Sequence, residues 1–158
     1  MGIYVKNDII QGDSVATGYE DQIDCDSWSL GAFQSTSMHH STGGAAGGSE
    51  IQDLQVTKSM DKASSLIYAS CAEGTHLGEV TLTCTRSYEG SDIKWLEIIL
   101  TDAIISNVTS SATPSDLGSE AVSFNFAEYM MKFYPQEDGG AEGSSVDHGY
   151  NQATRVRS

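Results

Sequence analysis

The sequence is poor in basic residues and has no long apolar run. Lys and Arg number 8 among 158 residues, against 22 Asp and Glu, and the formal net charge is −14. Phosphate backbones need a basic surface, so this balance argues against nucleic-acid binding. A membrane-spanning helix needs about 18 or more apolar residues in a row, and no segment provides them. We therefore expect no nucleic-acid partner and no membrane insertion.

Cysteine is also scarce, and the spacing of the cysteines indicates neither a metal site nor a set of disulfide bonds. Cys25, Cys71 and Cys84 are an odd number of widely spaced residues without a CxxC motif. This usage predicts reduced thiols that serve as small apolar side chains in a reducing compartment. The N-terminal MGIYVKND lacks a basic region followed by an apolar segment. We thus expect no signal peptide, and any export must follow a route that does not use one.

Motifs for catalysis and for cofactors are missing as well. The sequence contains no GxSxG, HExxH or GxxxxGK[ST] motif, and its many serines and aspartates form no directed pairs. His39 and His40 are adjacent on a Gly-rich segment, whereas metal ligands converge from fixed elements. We predict a protein that is not an enzyme and that binds no metal or cofactor.

What the sequence does contain is a series of alternating, strand-like segments within a single domain spanning 1–158. The patterns indicate about seven strands joined by turns, which form a small barrel or a pair of packed sheets. Two changes of phase predict β-bulges, one near Asp26–Ser27 and one near Ala127. The segment from Asp92 to Val108 is apolar on both phases, and Thr101-Asp102 in its middle predicts a kink between two sheets.

One stretch changes from strand to helix period. Up to Met60 apolar and polar residues alternate, and beyond Asp61 the spacing becomes three and four. We expect Asp61 to cap this helix and Gly74 to end it. The predicted buried face of the helix consists of Ala63, Leu66, Ile67, Ser70 and Cys71.

Two segments have no period. Residues 35–49 are rich in Gly and Ser and predict a long extended loop, which is either a contact arm or a surface loop. Residues 136–158 are acidic and Gly-rich and predict a flexible tail, with one short strand around His148–Asn151.

Ordered sequence blocks along nearly the whole chain resemble the Hcp family, the haemolysin-coregulated tube protein of bacterial type VI secretion. The blocks are DSWSLG at 26–31, GGAAGG at 43–48, IQDLQVTKSMDKASSL at 51–66, EGTH at 73–76, ISNVTSS at 105–111, SFNFAE at 123–128 and HGYN at 148–151. The resemblance implies a mainly β fold, in which two β-sheets form a partly closed β-barrel with one short α-helix.

The resemblance also implies a function. Such a chain assembles as stacked hexameric rings that form the inner tube of the secretion system, and a contractile sheath expels the tube behind a VgrG-type spike protein. Small effector proteins are carried in the lumen. The protein would reside in the bacterial cytoplasm before it is secreted. The alternative is an Hcp-like carrier or secreted effector that binds cargo without building a functional tube.

The same resemblance suggests assembly residues. In the loop these are Met38, His39, His40, Gly43, Gly44, Gly47 and Gly48, and around the strand–helix junction they are Asp53, Lys58, Asp61 and Lys62. For the junction residues, pairing across a subunit boundary stands against an ordinary solvated patch of charge.

A second set is predicted to line the lumen. Trp28 is expected to face the core, so Ser27 and Ser29 must point the opposite way on the strand, with Gly31 beyond them. The resemblance makes that side the lumen, where small polar groups would bind cargo weakly. The alternative is an ordinary solvent-facing serine.

Overall fold

The computed structural model describes residues 1–37, 45–137 and 142–157. These residues contain twelve strands and one α-helix, α1 (Ser64–Glu73). The strands are β1 (Ile3–Lys6), β2 (Ile23–Cys25), β3 (Ser27–Ser29), β4 (Ala32–Ser37), β5 (Ala45–Ile51), β6 (Leu54–Ser59), β7 (Gly78–Tyr88), β8 (Ser91–Ser111), β9 (Ser119–Asn125), β10 (Glu128–Phe133), β11 (Val146–Asn151) and β12 (Val156–Arg157).

Two curved antiparallel layers enclose the core. The large sheet has the order β12-β11-β10-β8-β7-β1-β2, and the small sheet has the order β3-β6-β9-β8. Strand β8 belongs to both, because its first half pairs with β7 and β10 and its second half pairs with β9. Strands β4 and β5 form a separate two-stranded sheet. We call this hairpin the arm.

Strand β8 passes from one sheet to the other at Asp102. This residue has a positive φ of 52°, and the register between β7 and β8 shifts beside it. The shift lets β8 bend while its inward residues stay buried, and Ile98, Leu100 and Ala103 are all 0% exposed. The predicted kink at Thr101-Asp102 is confirmed.

The chain crosses between the sheets a second time at Asp26. Its backbone N–H donates to the Thr57 carbonyl at 2.7 Å. Before Asp26 the chain pairs with β1 as β2, and after Asp26 it pairs with β6 as β3. The ladders therefore run in a circuit from β8 through β7, β1 and β2, across Asp26, and back through β3, β6 and β9. This arrangement confirms the predicted fold class of two sheets in a partly closed barrel with one short helix.

The core fills the space between the two sheets, and α1 packs on it beside β8. Ile67 of α1 and Ala63, which directly precedes the helix, are buried. Leu66 is 48% exposed, so the predicted apolar face of the helix was too wide. Further core residues from the strands are Val5, Leu54, Val56, Val80, Leu82, Ile105, Val122 and Phe124.

The ends of α1 were predicted with different success. Gly74 has φ 64° and ψ 37°, and the N–H groups of Gly74 and Thr75 bond to carbonyls of the last turn, which confirms the glycine stop. Asp61 instead accepts the N–H of Ala63 at 3.0 Å, one turn before the helix starts at Ser64. Asp61 thus shapes the entry to the helix rather than capping its first turn.

Other corrections arise where short segments find partners. Residues 32–37 and 45–51 pair as the arm, so the predicted loop 35–49 is largely a hairpin, and residues 38–44 lie outside the described part. The predicted tail contains β11, which confirms the short strand predicted around His148–Asn151, and also β12, and both strands extend the large sheet. The strand count rises from about seven because breaks at Asp26 and Phe126–Ala127 divide longer segments.

Strand β7 is buried on both faces near its middle. Its inward residues Val80, Leu82 and Cys84 are buried, and Thr83 and Thr85 on the opposite face are only 6% and 0% exposed. Tyr4 lies opposite Thr83 and stacks on Tyr19, with ring centroids 4.4 Å apart. The loop that carries Tyr19 therefore covers a face that the threonines alone suggested was solvated.

Candidate assembly surfaces

The outer side of the small sheet carries mainly hydroxyl and amide groups. By strand alternation β3, β6, β9 and the second half of β8 turn every second residue away from the core. All of these residues lie in the described chain, and none is charged. They are Ser27, Ser29, Gln55, Thr57, Ser59, Ile104, Asn107, Thr109, Ser111, Ser119, Ala121, Ser123 and Asn125. We call this surface the hydroxyl face.

The structure places the predicted lumen residues on or next to this face. Ser27 and Ser29 are exposed, and the Ser27 hydroxyl lies 2.6 Å from that of Thr57 on β6. Trp28 lies opposite Val56 and packs on the core, although it is only half-buried. Gly31 follows in the turn before the arm, and its carbonyl accepts the N–H of Gln52 at 2.8 Å.

Sequence reasoning found only one strand of the hydroxyl face. The polar phases of β6 and β9 carry the same signal, since Gln55 and Thr57 alternate with buried Val56, and Ser123 alternates with buried Val122. The pairing of these strands was not visible in the sequence, so their polar residues could not be assigned to a shared surface.

Asp53 stands at the edge of the hydroxyl face. Its carboxylate accepts hydrogen bonds from the Ser106 hydroxyl at 2.5 Å and from the Asn125 side-chain amide at 2.8 Å. It borders an open polar cleft of about 610 Å³ whose lining also includes Ser29 and Gln152. The two hydrogen bonds fix Asp53 within its own chain, and its contact with another subunit stays a prediction.

Lys58 lies inside the barrel rather than on a surface. Its side chain is 1% exposed, and its ammonium donates to Glu120 at 2.6 Å, to Asp61 at 2.8 Å and to the Ser59 carbonyl at 2.9 Å. Glu120 is also fully buried and accepts the Ser64 hydroxyl at 2.8 Å. All three ammonium protons therefore have acceptors within the chain.

This burial corrects one predicted assembly residue. Lys58 is neither part of a solvated patch nor available to a partner, because its charge is neutralised within its own subunit. Sequence alternation had put Lys58 on the same side as Leu54 and Val56, which are both buried. That phase was the available signal, and Glu120, the missing partner, shares the inward phase of Val122.

The other predicted junction residues are more accessible. Lys62 is 51% exposed and lies 3.6 Å from Asp13 and 3.5 Å from Asp21, so it holds the 11–22 loop to the start of the helix. Asp61 is shared between Lys58 and the Ala63 N–H. The structure thus divides the predicted patch, because Lys58 and Asp61 belong to an internal network whereas Lys62 forms exposed ion pairs with the 11–22 loop. A contact of Lys62 with another subunit stays a prediction.

The arm contains the remaining predicted assembly residues. Gly47 and Gly48 lie in β5, at the register shift between Gln34 and Thr36 of the opposite strand. Met38, His39, His40, Gly43 and Gly44 lie outside the described residues. The base of the arm is anchored by a 2.8 Å hydrogen bond between the hydroxyls of Ser49 and Tyr150 of β11.

The cysteines behave as apolar side chains. All three are free thiols, and burial raises the pKa of Cys25 to about 12 and that of Cys84 to about 11. Both thiols therefore stay protonated at neutral pH. Within the described ranges no group of three or more His, Cys, Asp and Glu side chains is placed to hold a metal ion. The helix in that part of the chain is too short to cross a membrane.

Comparison with known proteins identifies the family. The family model for the type VI secretion system effector Hcp matches residues 4–133. The chain is 32% identical to the protein Hcp1 of Pseudomonas aeruginosa over 159 residues, which cover 99% of this chain and 98% of that protein. The chain belongs to the Hcp family. Hcp proteins are structural tube proteins of type VI secretion and not enzymes, which confirms the predicted family and the prediction of no catalysis.

Solved structures share the Hcp fold over nearly the full length. A type six secretion system protein superposes with a TM-score of 0.92 at 24% identity, covering 99% of both chains. Hcp1 from Salmonella typhimurium superposes with a TM-score of 0.82 at 22% identity, covering 99% of this chain and 98% of that chain. The two-sheet barrel is therefore the architecture of known Hcp proteins.

Proposed function

We propose that this Hcp chain forms a hexameric ring, and that rings stack into the inner tube of a type VI secretion system. The tube leaves the bacterial cytoplasm when a contractile sheath drives it out behind a VgrG-type spike protein. Small effector proteins travel in the lumen. The hydroxyl face is proposed to line that lumen.

The absence of charge on the hydroxyl face carries this proposal. The whole chain has a net charge of −14, yet the thirteen outward positions of the small sheet bear none of it. Charged surfaces attract or repel cargo over about 8–10 Å at physiological salt. An uncharged hydroxyl surface exerts neither long-range effect, which suits a channel through which different proteins pass.

The edges of the small sheet support assembly. Within the described chain β3 has a ladder partner only in β6, and β8 beyond Ala103 has one only in β9. An open edge offers unpaired N–H and C=O groups to another strand. Two different edges joined head to tail give a heterologous contact, which generates a closed ring when the rotation per subunit fits.

The solution mass tests the proposal. We expect light scattering to give six times the 16.9 kDa chain mass at micromolar concentration. A single-chain mass at every concentration would contradict the ring. Rings that never polymerise end to end would favour the carrier alternative over the tube.

Electron microscopy of a hydroxyl-face variant tests which surface lines the hole. Ser29→Cys labelled with a small gold cluster should place density inside the ring, whereas Thr81→Cys, on the outer side of the large sheet, should place it elsewhere. Gold from Ser29→Cys on the ring exterior would refute the proposed orientation.

A further inference from the structure

A small recess opens beside Asp26, where the chain passes from the large sheet to the small one. Its volume of about 290 Å³ is just below the range of about 300–1,000 Å³ that drug-sized ligands occupy, so it fits a molecule with a single ring. Small-molecule sites are common in the mouths of β-barrels. The described residues that line the recess are Met1, Gly2, Ile3, Cys25, Asp26, Trp28, Cys84, Thr85 and Trp95.

Both tryptophans of the chain line this recess. Trp28 reaches it from β3 and is half-buried. Trp95 reaches it through an irregularity in β8, because adjacent residues of β7 lie opposite Lys94 and Leu96 and leave Trp95 between them as the extra residue of a β-bulge. Bulges turn side chains in new directions and are frequent beside functional sites. Two indole rings therefore border one small space.

The buried wall of the recess is apolar and uncharged. Burial raises the pKa of Cys25 to about 12 and that of Cys84 to about 11, so both thiols are neutral at pH 7. They lie on the strands that flank β1, each opposite Ile3. The Thr85 hydroxyl accepts the N–H of Gly2 at 2.9 Å and is thus satisfied within the chain. The interior consequently suits the apolar part of a ligand.

Asp26 supplies the charge at the recess. Among the described residues that line it, Asp26 has the one side chain that is charged at neutral pH. This side chain is exposed, and it forms no ion pair or hydrogen bond with any described residue. The N-terminal amine is engaged elsewhere, since it donates to Ser87 at 3.2 Å and lies 3.6 Å from Asp92. The Asp26 carboxylate is therefore available to a ligand.

Neighbouring carboxylates add to the negative potential at Asp26. Asp24, Asp26 and Asp61 also line an adjoining open cleft. Burial, followed by repulsion from Asp26 and Asp61, raises the pKa of Asp24. Asp61 is paired with Lys58, whereas Asp24 and Asp26 form no ion pair with a described residue. A cation bound beside Asp26 would lessen this repulsion.

We propose that the recess binds a small organic cation made of one aromatic ring and an ammonium group. The ring lies in the apolar interior against Trp28 and Trp95, where aromatic rings pack edge to face or offset. The ammonium lies at Asp26, within reach of an indole face that attracts a cation. Trp28 points away from the hydroxyl face, so this site is separate from the proposed lumen and does not depend on it.

Tryptophan emission gives a direct readout, because both tryptophans line the recess. Titration with phenethylammonium chloride should change the emission along a saturable curve, with a dissociation constant of about 1 mM or lower. Sodium chloride at the same concentrations controls for ionic strength and should not reproduce the change. Phenethyl alcohol has the same ring and chain with a neutral hydroxyl in place of the ammonium, and should bind about two- to fivefold more weakly.

Three variants make the test specific. Asp26→Asn should weaken the binding of phenethylammonium by about two- to fivefold and leave the binding of phenethyl alcohol unchanged. Asp116→Asn is the matched control, since it removes an exposed carboxylate that does not line the recess, and it should bind both compounds like the wild type. Trp95→Leu keeps Trp28 as the reporter and should weaken the binding of both compounds.

Each other outcome overturns the inference in a recognisable way. If neither compound gives a saturable change, the recess is not a ligand site. If the alcohol binds as tightly as the ammonium, or Asp26→Asn binds the ammonium like the wild type, the site does not select a cation. If sodium chloride reproduces the change, the effect is screening. If binding is lost at concentrations where light scattering reports assembled subunits, a neighbouring subunit covers the recess, and the proposed ring stands without this site.

Discussion

At the scale of single residues, the interior holds a complete ionic network where the sequence suggested a surface patch. Lys58 and Glu120 are 1% and 0% exposed and lie 2.6 Å apart. Removing one charge of such a pair leaves the other buried without compensation, which costs more than the pair contributes when intact. The network therefore acts mainly as a constraint on how β6, β9 and the start of α1 fit together.

We predict that Lys58→Met lowers the free energy of unfolding by about 3–5 kcal/mol, because Glu120 is left buried without its cation. Lys62→Met is the matched control, since its exposed ion pairs are worth about 1 kcal/mol or less. Urea unfolding of both variants at single-chain dilution measures the difference. The double variant Lys58→Met, Glu120→Leu should lose less stability than Lys58→Met alone, and equal losses in all three would argue against a strained buried charge.

Cys25 gives a prediction in pH. Burial raises its pKa from 9.0 to about 12, so the folded state holds the thiol proton that the unfolded state releases. The stabilisation is complete below pH 9 and is lost as pH rises toward 12. We expect the urea midpoint to fall between pH 8 and pH 10.5, and to fall less in Cys25→Ala. An identical fall in both proteins would assign the pH dependence to other groups.

The sequence predicted the orientation of side chains correctly where the alternation of a strand decides it. The opposite directions of Trp28 and of Ser27 and Ser29 followed from alternation alone. The burial of Lys58 followed from the same alternation, but a lysine is so rarely buried that its chemistry was given more weight than its phase. Glu120 could not be found because the pairing of β6 with β9 joins segments that are distant in sequence.

At the scale of elements, two crossovers determine the architecture. Strand β8 is 21 residues long and serves both sheets, and β2 and β3 cross between the same sheets at Asp26. The β8 crossover was predicted as a kink at Thr101-Asp102, because the strand is apolar on both phases. At Asp26 the phase change predicted only a bulge, whereas the chain crosses there from one sheet to the other. The arm and strand β12 were missed, and β11 was predicted only as a short strand around His148–Asn151, since these Gly-rich or acidic sequences form strands only when paired with the rest of the fold.

Asp102 supports a prediction for the β8 crossover. Its φ of 52° is a conformation that aspartate tolerates and that a β-branched residue resists. We predict that Asp102→Val destabilises the protein by about 1–2 kcal/mol and that Asp102→Gly is neutral or stabilising. Thermal or urea unfolding measures both. Thr101→Val, at the exposed neighbouring position, is the control and should change stability by less than about 0.5 kcal/mol.

At the scale of the whole molecule, charge and surface are distributed unevenly. The chain carries a net charge of −14, while the hydroxyl face is neutral and the arm projects from its border. The net charge follows from composition, and strand alternation predicted part of the hydroxyl face. The concentration of charge away from one face was not predictable, because it depends on which strands lie side by side.

Assembly should consequently depend on ionic strength. Copies of a chain with a net charge of −14 repel one another in the proposed ring, and salt screens that repulsion over about 10 Å at 0.1 M. We expect light scattering to show association that is tighter at 0.15 M than at 0.01 M sodium chloride. Dissociation on adding salt would mean that attractive ion pairs outweigh the repulsion between subunits.

The double membership of β8 also has a mechanical consequence. Sheets that touch only through side chains can slide past each other when force is applied along their interface. Here the backbone itself runs from one sheet into the other at Asp102 and again at Asp26. A load on either sheet is therefore transmitted along covalent bonds. The two sheets can slide past each other only after the backbone hydrogen bonds between β8 and its neighbouring strands have broken. A subunit whose two sheets share a continuous backbone is therefore expected to resist the shear that the proposed sheath-driven export would impose.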